Sequence, residues 1–76
     1  MKSVTVRLNS IDKVKEFVNV INTFDGDFDL VSDRYTIDAK SIMGIFSLDL
    51  SKDLRLDIHD NVKNTTVESR LADFIV

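Results

Sequence analysis

Residues 3–21, with the sequence SVTVRLNSIDKVKEFVNVI, decide the fold class, because the spacing of their apolar residues changes partway along. Val4, Val6 and Leu8 alternate with polar residues, which predicts a half-buried β-strand. After Asn9-Ser10, which offers a helix N-cap, the apolar residues recur at helical spacing, which predicts an amphipathic helix over about residues 10–23. The chain therefore mixes strands with helices that cover them.

The rest of the chain continues the alternation. Asp25-Gly26 ends the first helix, and Ser32-Asp33 is a short connection between two predicted strands of a hairpin. Three further strands are predicted at Phe28–Leu30, Arg34–Ile37 and residues 54–58. A short helix is predicted over 41–48, with Ser41 as its N-cap. A closing helix through Val67, Leu71 and Phe74 is predicted from the capping-box spacing of Thr65-Thr66-Val67-Glu68. The order β-α-β-β-α-β-α predicts an α+β open-faced sandwich, in which helices cover one face of an antiparallel sheet.

Composition excludes several classes of protein. The 76 residues form one predicted domain, residues 1–76, without cysteine and with a single histidine, so disulfides, thiolate metal sites and paired-histidine metal sites are ruled out. Thirteen acidic and ten scattered basic residues give a net charge of −3, which argues against nucleic-acid binding. No apolar stretch approaches the roughly 18–20 residues of a membrane span. We expect a cytoplasmic protein without a metal ion or cofactor.

Two groups of polar residues are candidates for chemistry. Asp25-Gly26-Asp27-Phe28-Asp29 looks like part of a calcium loop, but it lacks the spacing and the later glutamate that such a loop needs, so these acids are predicted to form the solvated face of a strand. His59, at the end of the fourth strand, could accept a phosphoryl group or act as a general base. Because it shares the polar side of that strand with Arg55 and Asp57, the simpler prediction is a surface histidine.

The segment 41–48 contains more apolar residues than one core-facing stripe can hold. Ile45 and Leu48 can face the sheet, which leaves Ile42, Met43 and Phe46 as a predicted exposed patch. Such patches often mark protein-binding surfaces. The alternative is that neighbouring loops cover the patch.

Residues 38–48, Asp38-Ala39-Lys40-Ser41-Ile42-Met43-Gly44-Ile45-Phe46-Ser47-Leu48, closely resemble the regulatory-serine segment of HPr. HPr is the histidine-containing phosphocarrier protein of the bacterial phosphotransferase system, and the resemblance is to its Gram-positive form. Glu16-Phe17-Val18 also falls where the first helix of the family carries a similar triplet. The resemblance implies a sheet in the order 1-4-2-3 with three helices on one face.

The chain departs from the family at the phosphorylation motif. The family carries its phosphate on a histidine before the first helix, within a Gly-Leu-His-Ala-Arg-Pro type of motif. Counting back from Glu16-Phe17-Val18 places Ser10 at the histidine position and Asp12 at that of the phosphate-clamping arginine. A serine phosphate is a stable ester, Ser10 has no neighbouring base, and Asp12 would repel a phosphate. We therefore expect Ser10 to be a helix cap, and the protein to be neither a carrier nor an enzyme.

Ser41 matches the serine that a kinase phosphorylates in Gram-positive members, whose modified form binds a transcriptional regulator. Its alternative role is that of an N-cap alone. The leading interpretation is a non-catalytic regulatory or protein-binding HPr paralogue, with HPr kinase, phosphotransferase-system enzymes or a transcriptional regulator as possible partners. A functional phosphotransfer component that uses His59 or an unusual site is one alternative, and a structural module is another. The predicted binding surface comprises Lys40, Ile42, Met43 and Phe46 beside Ser41.

Overall fold

The computed structural model describes residues 1–33 and 35–76, so the predicted strand start at Arg34 lies outside the described residues. The elements are β1 (Lys2–Val6), α1 (Ile11–Ile21), β2 (Phe28–Ser32), β3 (Tyr35–Asp38), α2 (Ile42–Phe46), β4 (Leu54–Ile58) and α3 (Val67–Arg70). The four strands form one sheet in the order β1-β4-β2-β3, with every neighbouring pair antiparallel. The predicted α+β open-faced sandwich and its strand order are confirmed.

The core lies between the sheet and the helices. Alternate residues of the central strands β2 and β4 point into it, and Phe17 of α1 meets Phe74 edge to face with 5.5 Å between ring centroids. Burial of these side chains supplies most of the stability available to so small a chain. The largest fully buried side chains are Leu8, Phe17, Ile21, Phe28, Leu30, Ile45, Leu54, Leu56 and Leu71.

Helix α1 follows the sequence prediction most closely. Its buried residues Val14, Phe17, Val18 and Ile21 form one stripe, and Ser10 is the N-cap. The last turn contains no basic residue of its own, although the carbonyl end of a helix attracts cations. Lys40, which is distant in sequence, supplies a cation just beyond the end of this helix, where its Nζ donates to the Phe24 carbonyl.

The helices α2 and α3 are shorter than the sequence predicted. Helix α3 ends at Arg70, and the chain continues through turns until Ile75 forms a bridge with Val6 of β1. The predicted capping box does not form. The N-cap is Thr66, whose side chain makes no cap hydrogen bond and instead donates to Asn64 Oδ1. Because the Thr66 hydroxyl is bonded to Asn64 Oδ1, it does not accept a hydrogen bond from the first turn of α3.

One turn depends on glycine. Gly26, between α1 and β2, has φ +103°, and a Cβ atom there would lie 2.6 Å from Cγ2 of Val62. Both the backbone conformation and the lack of space exclude a larger residue. This contact holds the loop after β4 against the start of β2. Within residues 1–33 and 35–76, no helix is both long and apolar enough to cross a membrane.

Candidate functional site

The N-terminus of α1 carries a capping serine. Ser10 has extended backbone angles, and its Oγ accepts a hydrogen bond from Lys13 N at 3.1 Å. Asp12 lies exposed in the first helical turn. The prediction that Ser10 caps the helix is confirmed, and this end of α1 presents a hydroxyl and a carboxylate where a phosphocarrier would need an imidazole and a cation.

The two basic residues nearest Ser10 in sequence are bound to other groups. Arg7 donates from Nε and from a terminal nitrogen to the carboxylate of Asp53, at 2.8 and 3.2 Å. This hydrogen bond holds the pKa of Asp53 below its ordinary value. Lys13 Nζ donates to the carbonyl of Asp73 at 3.2 Å. Both side chains brace the C-terminal part of the chain and the start of β4 against this end of the fold.

His59 has a carboxylate partner that the sequence prediction missed. Its Nε2 lies 2.6 Å from Asp29 Oδ2, and both side chains are 31% exposed. Its backbone N–H also donates to the Asp27 carbonyl at 3.1 Å. Both residues lie on the polar side of the sheet, as predicted, but they bind each other and are only partly exposed, which the sequence did not predict. The two residues are thirty positions apart, so only knowledge of the β2–β4 register would have revealed the pair.

The polar side of β4 is more buried than its sequence indicates. Asp57 is 8% exposed and accepts from Ser3 Oγ at 2.7 Å and from Nε and Nη2 of Arg55 at 2.9 and 3.2 Å. The hydrogen bond from Ser3 lowers the pKa of Asp57 most, and Arg55 lowers it further. Strands β1 and β2 flank this residue in the sheet, which explains its burial.

Ser10 and His59 lie beyond opposite ends of the sheet. In the β1–β4 pair, Val6 faces Leu54 and Lys2 faces Ile58. Ser10 follows the first pair along the chain, and His59 follows the second. The length of β4 alone separates these ends by about 13 Å, at ~3.3 Å for each residue of a strand. His59 therefore does not replace the missing histidine at the start of α1.

The cavity at the His59 end has its charged groups already paired. It has a volume of about 430 Å³, and its lining includes Met1, Lys2, His59, Asp60 and Glu68. The terminal ammonium of Met1 pairs with Asp60, and Lys2 pairs with Glu68. Within the part of the chain that the structure describes, no group of three or more potential metal ligands occurs. We assign no chemistry to this cavity.

The α2 segment exposes two of the three predicted patch residues. Met43 is 78% exposed and Phe46 is 39% exposed, whereas Ile42 is half-buried and packs against the core. Ile45 and Leu48 are buried, as the sequence predicted. The exposure expected of Ile42 is thus only partly correct, because its side chain packs against the edge of the core. The binding role of the patch stays a prediction.

Ser41 is exposed and caps α2. Its Oγ accepts from Gly44 N at 3.2 Å. A Cβ atom on Gly44 would lie 3.2 Å from that oxygen and 3.3 Å from Cδ1 of Ile37, so α2 lies close to β3 at this point. The hydroxyl is accessible from solvent, which a modifying enzyme requires.

Lys40 connects the α2 segment to the end of α1. Its Nζ donates to the Phe24 carbonyl at 2.9 Å and lies 5.9 Å from the centroid of the Phe28 ring. The sequence suggested a cation beside Ser41, but this ammonium is held at the Phe24 carbonyl. Lys40 therefore anchors the segment in the structure, and its contribution to binding stays a prediction.

Comparison with models of known protein families identifies the family of this chain. The PTS-HPr family model, described as "PTS HPr component phosphorylation site", matches residues 12–75. The chain belongs to the HPr family. The match begins two residues after Ser10, so it leaves out the position at which the resemblance places the phosphorylated histidine. A comparison with curated protein sequences found no match.

A solved structure supports the same assignment. The crystal structure of HPr-C-His from Thermoanaerobacter tengcongensis is 25% identical in sequence, covers 96% of this chain and 89% of its own, and superposes with a TM-score of 0.73. The HPr fold and the membership of this chain in a phosphotransferase-system family therefore stand on both sequence and structure.

Proposed function

We propose that this HPr-family protein is a non-catalytic regulatory or protein-binding paralogue of the sugar phosphotransferase system, acting in the cytoplasm through the α2 surface. One observation carries the proposal. The start of α1 holds a capping serine in place of an imidazole, and the only histidine of the chain is bound to Asp29 beyond the other end of the sheet.

The chemistry at the start of α1 opposes phosphoryl transfer. A carrier needs an N–P bond that breaks readily, whereas an ester on Ser10 would be stable. Asp12 adds negative charge in the first turn, and the nearest cations in sequence, Arg7 and Lys13, are bound to Asp53 and Asp73. A phosphoryl group at this position would meet repulsion without a clamping guanidinium.

The α2 surface supports a role in protein binding. Met43 and Phe46 are large, apolar and exposed on a short helix whose Ile45 anchors it in the core. Apolar side chains held on a rigid element can dominate the energy of an interface. Lys40 fixes the approach to this helix through its bond to the end of α1.

Ser41 supplies a means of regulation beside this surface. We propose that a kinase of the HPr kinase class phosphorylates its exposed hydroxyl, and that the added charge of about −1.5 to −2 changes which protein docks on Met43 and Phe46. The backbone N–H of Gly44 now donates to Ser41 Oγ, and after phosphorylation it could donate to a phosphate oxygen. The partner is then a phosphotransferase-system enzyme or a transcriptional regulator.

Phosphoenolpyruvate and the first enzyme of the phosphotransferase system test the proposal directly. An authentic HPr in the same reaction serves as the positive control. We expect the control to gain an acid-labile phosphate and this protein to gain none. An acid-labile phosphate on this protein would overturn the proposal.

The His59–Asp29 pair favours one second candidate, a carrier that uses His59. A carboxylate bound at Nε2 would favour the tautomer in which Nδ1 keeps its lone pair. This nitrogen could then attack the phosphorus of a phosphorylated donor enzyme, whose own bond to phosphorus breaks as the new N–P bond forms. The same reaction with His59→Gln separates the two functions. If the protein without a substitution gains a phosphate and the His59→Gln variant gains none, this second candidate is established.

A further inference from the structure

The two edges of the sheet differ in how their backbone groups are satisfied. On β1, the Thr5 carbonyl accepts from Val76 N at 3.0 Å, and Arg7 N donates to the Phe74 carbonyl at 2.8 Å. Ile75 forms a bridge with Val6 between these two bonds. The C-terminal residues thus close this edge along half its length, in the way that natural proteins protect exposed strands.

Among the residues that the structure describes, none covers the β3 edge in this way. Ala39 N donates to the Phe28 carbonyl at 2.8 Å, so by the alternation of an antiparallel ladder the β3 residues bonded to β2 are Tyr35 and Ile37. The N–H and C=O groups of Thr36 therefore point away from β2. Within residues 1–33 and 35–76, no loop, turn or cap hydrogen bond reaches either group. This leaves one donor and one acceptor side by side on an open edge.

The residues of this edge suit strand pairing. Tyr35-Thr36-Ile37 consists of residue types that favour strands, without the proline or lysine that often blocks an edge. Tyr35 is 68% exposed, and Ile37 is half-buried. A second strand could bond to the outward backbone groups of Thr36, since no loop, turn or cap hydrogen bond of the described residues uses them.

We infer that β3 pairs antiparallel with β3 of a second copy of this chain, with the two Thr36 residues facing each other across a two-fold axis. Each Thr36 N–H then donates to the Thr36 carbonyl of the partner, so two hydrogen bonds form and each exposed group gains one partner. The same register places Tyr35 opposite Ile37 of the partner on the helix side of the sheet, and aromatic and β-branched residues pair well there. This inference does not depend on the α2 surface or on phosphorylation.

A second copy fits this edge because the pairing is self-complementary and closed. The symmetric pair uses the β3 edge of both chains, and the C-terminal residues cover part of the remaining β1 edge, so the pairing closes at two chains. The contact is short, so we expect half-dimerisation on the order of 0.1–1 mM, the weak end for small interfaces. Each chain carries a net charge of −3, so added salt should favour the dimer by screening repulsion.

Two measurements on the intact protein test the dimer. Sedimentation equilibrium should show the mass rising from 8.7 kDa towards twice that value as the protein concentration increases. Tyr35 is the only tyrosine in a chain without tryptophan, so its fluorescence anisotropy reports the β3 edge directly. Both signals should rise over the same range of concentration.

A matched pair of variants identifies the edge. Thr36→Pro removes an outward N–H without breaking the β2 ladder, and proline is tolerated at such edge positions, so the variant should remain monomeric. Thr36→Val keeps the N–H and should still dimerise. Circular dichroism establishes whether each variant is folded. If Thr36→Pro is unfolded, hydrogen exchange of the Thr36 amide in the unaltered protein tests the dimer instead. Its exchange rate should fall several-fold as the protein concentration rises from about 20 µM to about 1 mM.

Three results would overturn the inference. The first is a mass of one chain at every concentration up to about 1 mM. The second is a dimer that folded Thr36→Pro still forms. The third is a Thr36 amide whose exchange slows only when a different protein is added, which would assign this edge to a foreign strand.

Discussion

His59 Nε2 lies 2.6 Å from Oδ2 of Asp29, so the only imidazole of this HPr-family chain is tied to β2, remote from the start of α1. The pair holds the loop after β4 against the α1–β2 turn, where Asn61 also bonds to the backbone N–H and the carboxylate of Asp27. A residue that could have carried phosphate therefore has a structural role that needs no phosphate.

The His59–Asp29 pair should contribute measurably to stability. We expect His59→Gln and Asp29→Asn each to lower the free energy of unfolding at pH 7 by about 0.5–1.5 kcal/mol, the net range for a hydrogen bond within a protein, because partial exposure weakens a pair that contains a charged group. Urea denaturation measures this loss. The double variant should cost less than the sum of the two single losses, because both remove one interaction. Strict additivity would show that the two side chains do not interact.

Asp57 should make stability fall in acid. Its pKa in the folded protein is held below the ordinary value of 3.8 by Ser3 and Arg55. A depressed carboxyl pKa stabilises the fold above the unfolded value, and this stabilisation is lost as the pH falls through the folded value. The unaltered protein should therefore lose stability below about pH 4. Asp57→Asn should be less stable at pH 7 and should show a smaller loss between pH 4 and pH 2, measured by thermal unfolding at each pH. Equal acid sensitivity of the two proteins would contradict this assignment.

Ser10 should matter to the helix and not to phosphate chemistry. Ser10→Ala removes the acceptor for Lys13 N and should cost about 1 kcal/mol of stability, whereas Ser10→Asp restores an acceptor and should recover most of it. Chemical denaturation compares the three proteins. If Ser10→Ala is as stable as the parent, the Ser10 cap contributes nothing measurable to the free energy of unfolding.

Ser41 should accept a single acid-stable phosphate from an HPr kinase, and Ser41→Ala should accept none. Because the phosphate would lie beside backbone N–H groups, thermal stability should hold or rise by about 0.3–1 kcal/mol, less at high salt. Mass spectrometry and thermal unfolding of the modified protein test both parts. If conditions that modify an authentic HPr leave Ser41 unmodified, its role is limited to capping α2.

Met43→Asp should abolish capture of any protein that docks on α2, because it places a charge at the most exposed apolar residue of that surface. Ile11→Asp is the matched control, since Ile11 is 62% exposed on α1 and an acid in a first helical turn is tolerated. Parallel pull-downs with the parent and both variants make the comparison. Unchanged capture by Met43→Asp would place the interface elsewhere, and a parent that captures nothing would favour the structural-module alternative.

The local features of this chain were open to prediction because they depend on near neighbours in sequence. The stripe of α1 from Val14 to Ile21 and the capping role of Ser10 follow from spacing within a few residues. The resemblance of residues 38–48 to HPr added the strand order, which no periodicity contains. The sequence pattern did not reveal that Thr66 at the start of α3 donates its hydroxyl to Asn64 and makes no capping hydrogen bond, because the spacing of Thr65 and Glu68 carries no information about that competing acceptor.

The element order, the stripe that α1 buries and the lack of a histidine before α1 can all be predicted from the spacing and identity of residues along the chain. The partners of the charged groups are evident only in the folded molecule: His59 with Asp29, Lys40 with the Phe24 carbonyl, and Arg7 with Asp53. The physical reason is that hydrophobic periodicity is encoded over one or two turns of chain. An ion pair or hydrogen bond between distant residues exists only after strand register and helix packing have brought its atoms within about 3 Å.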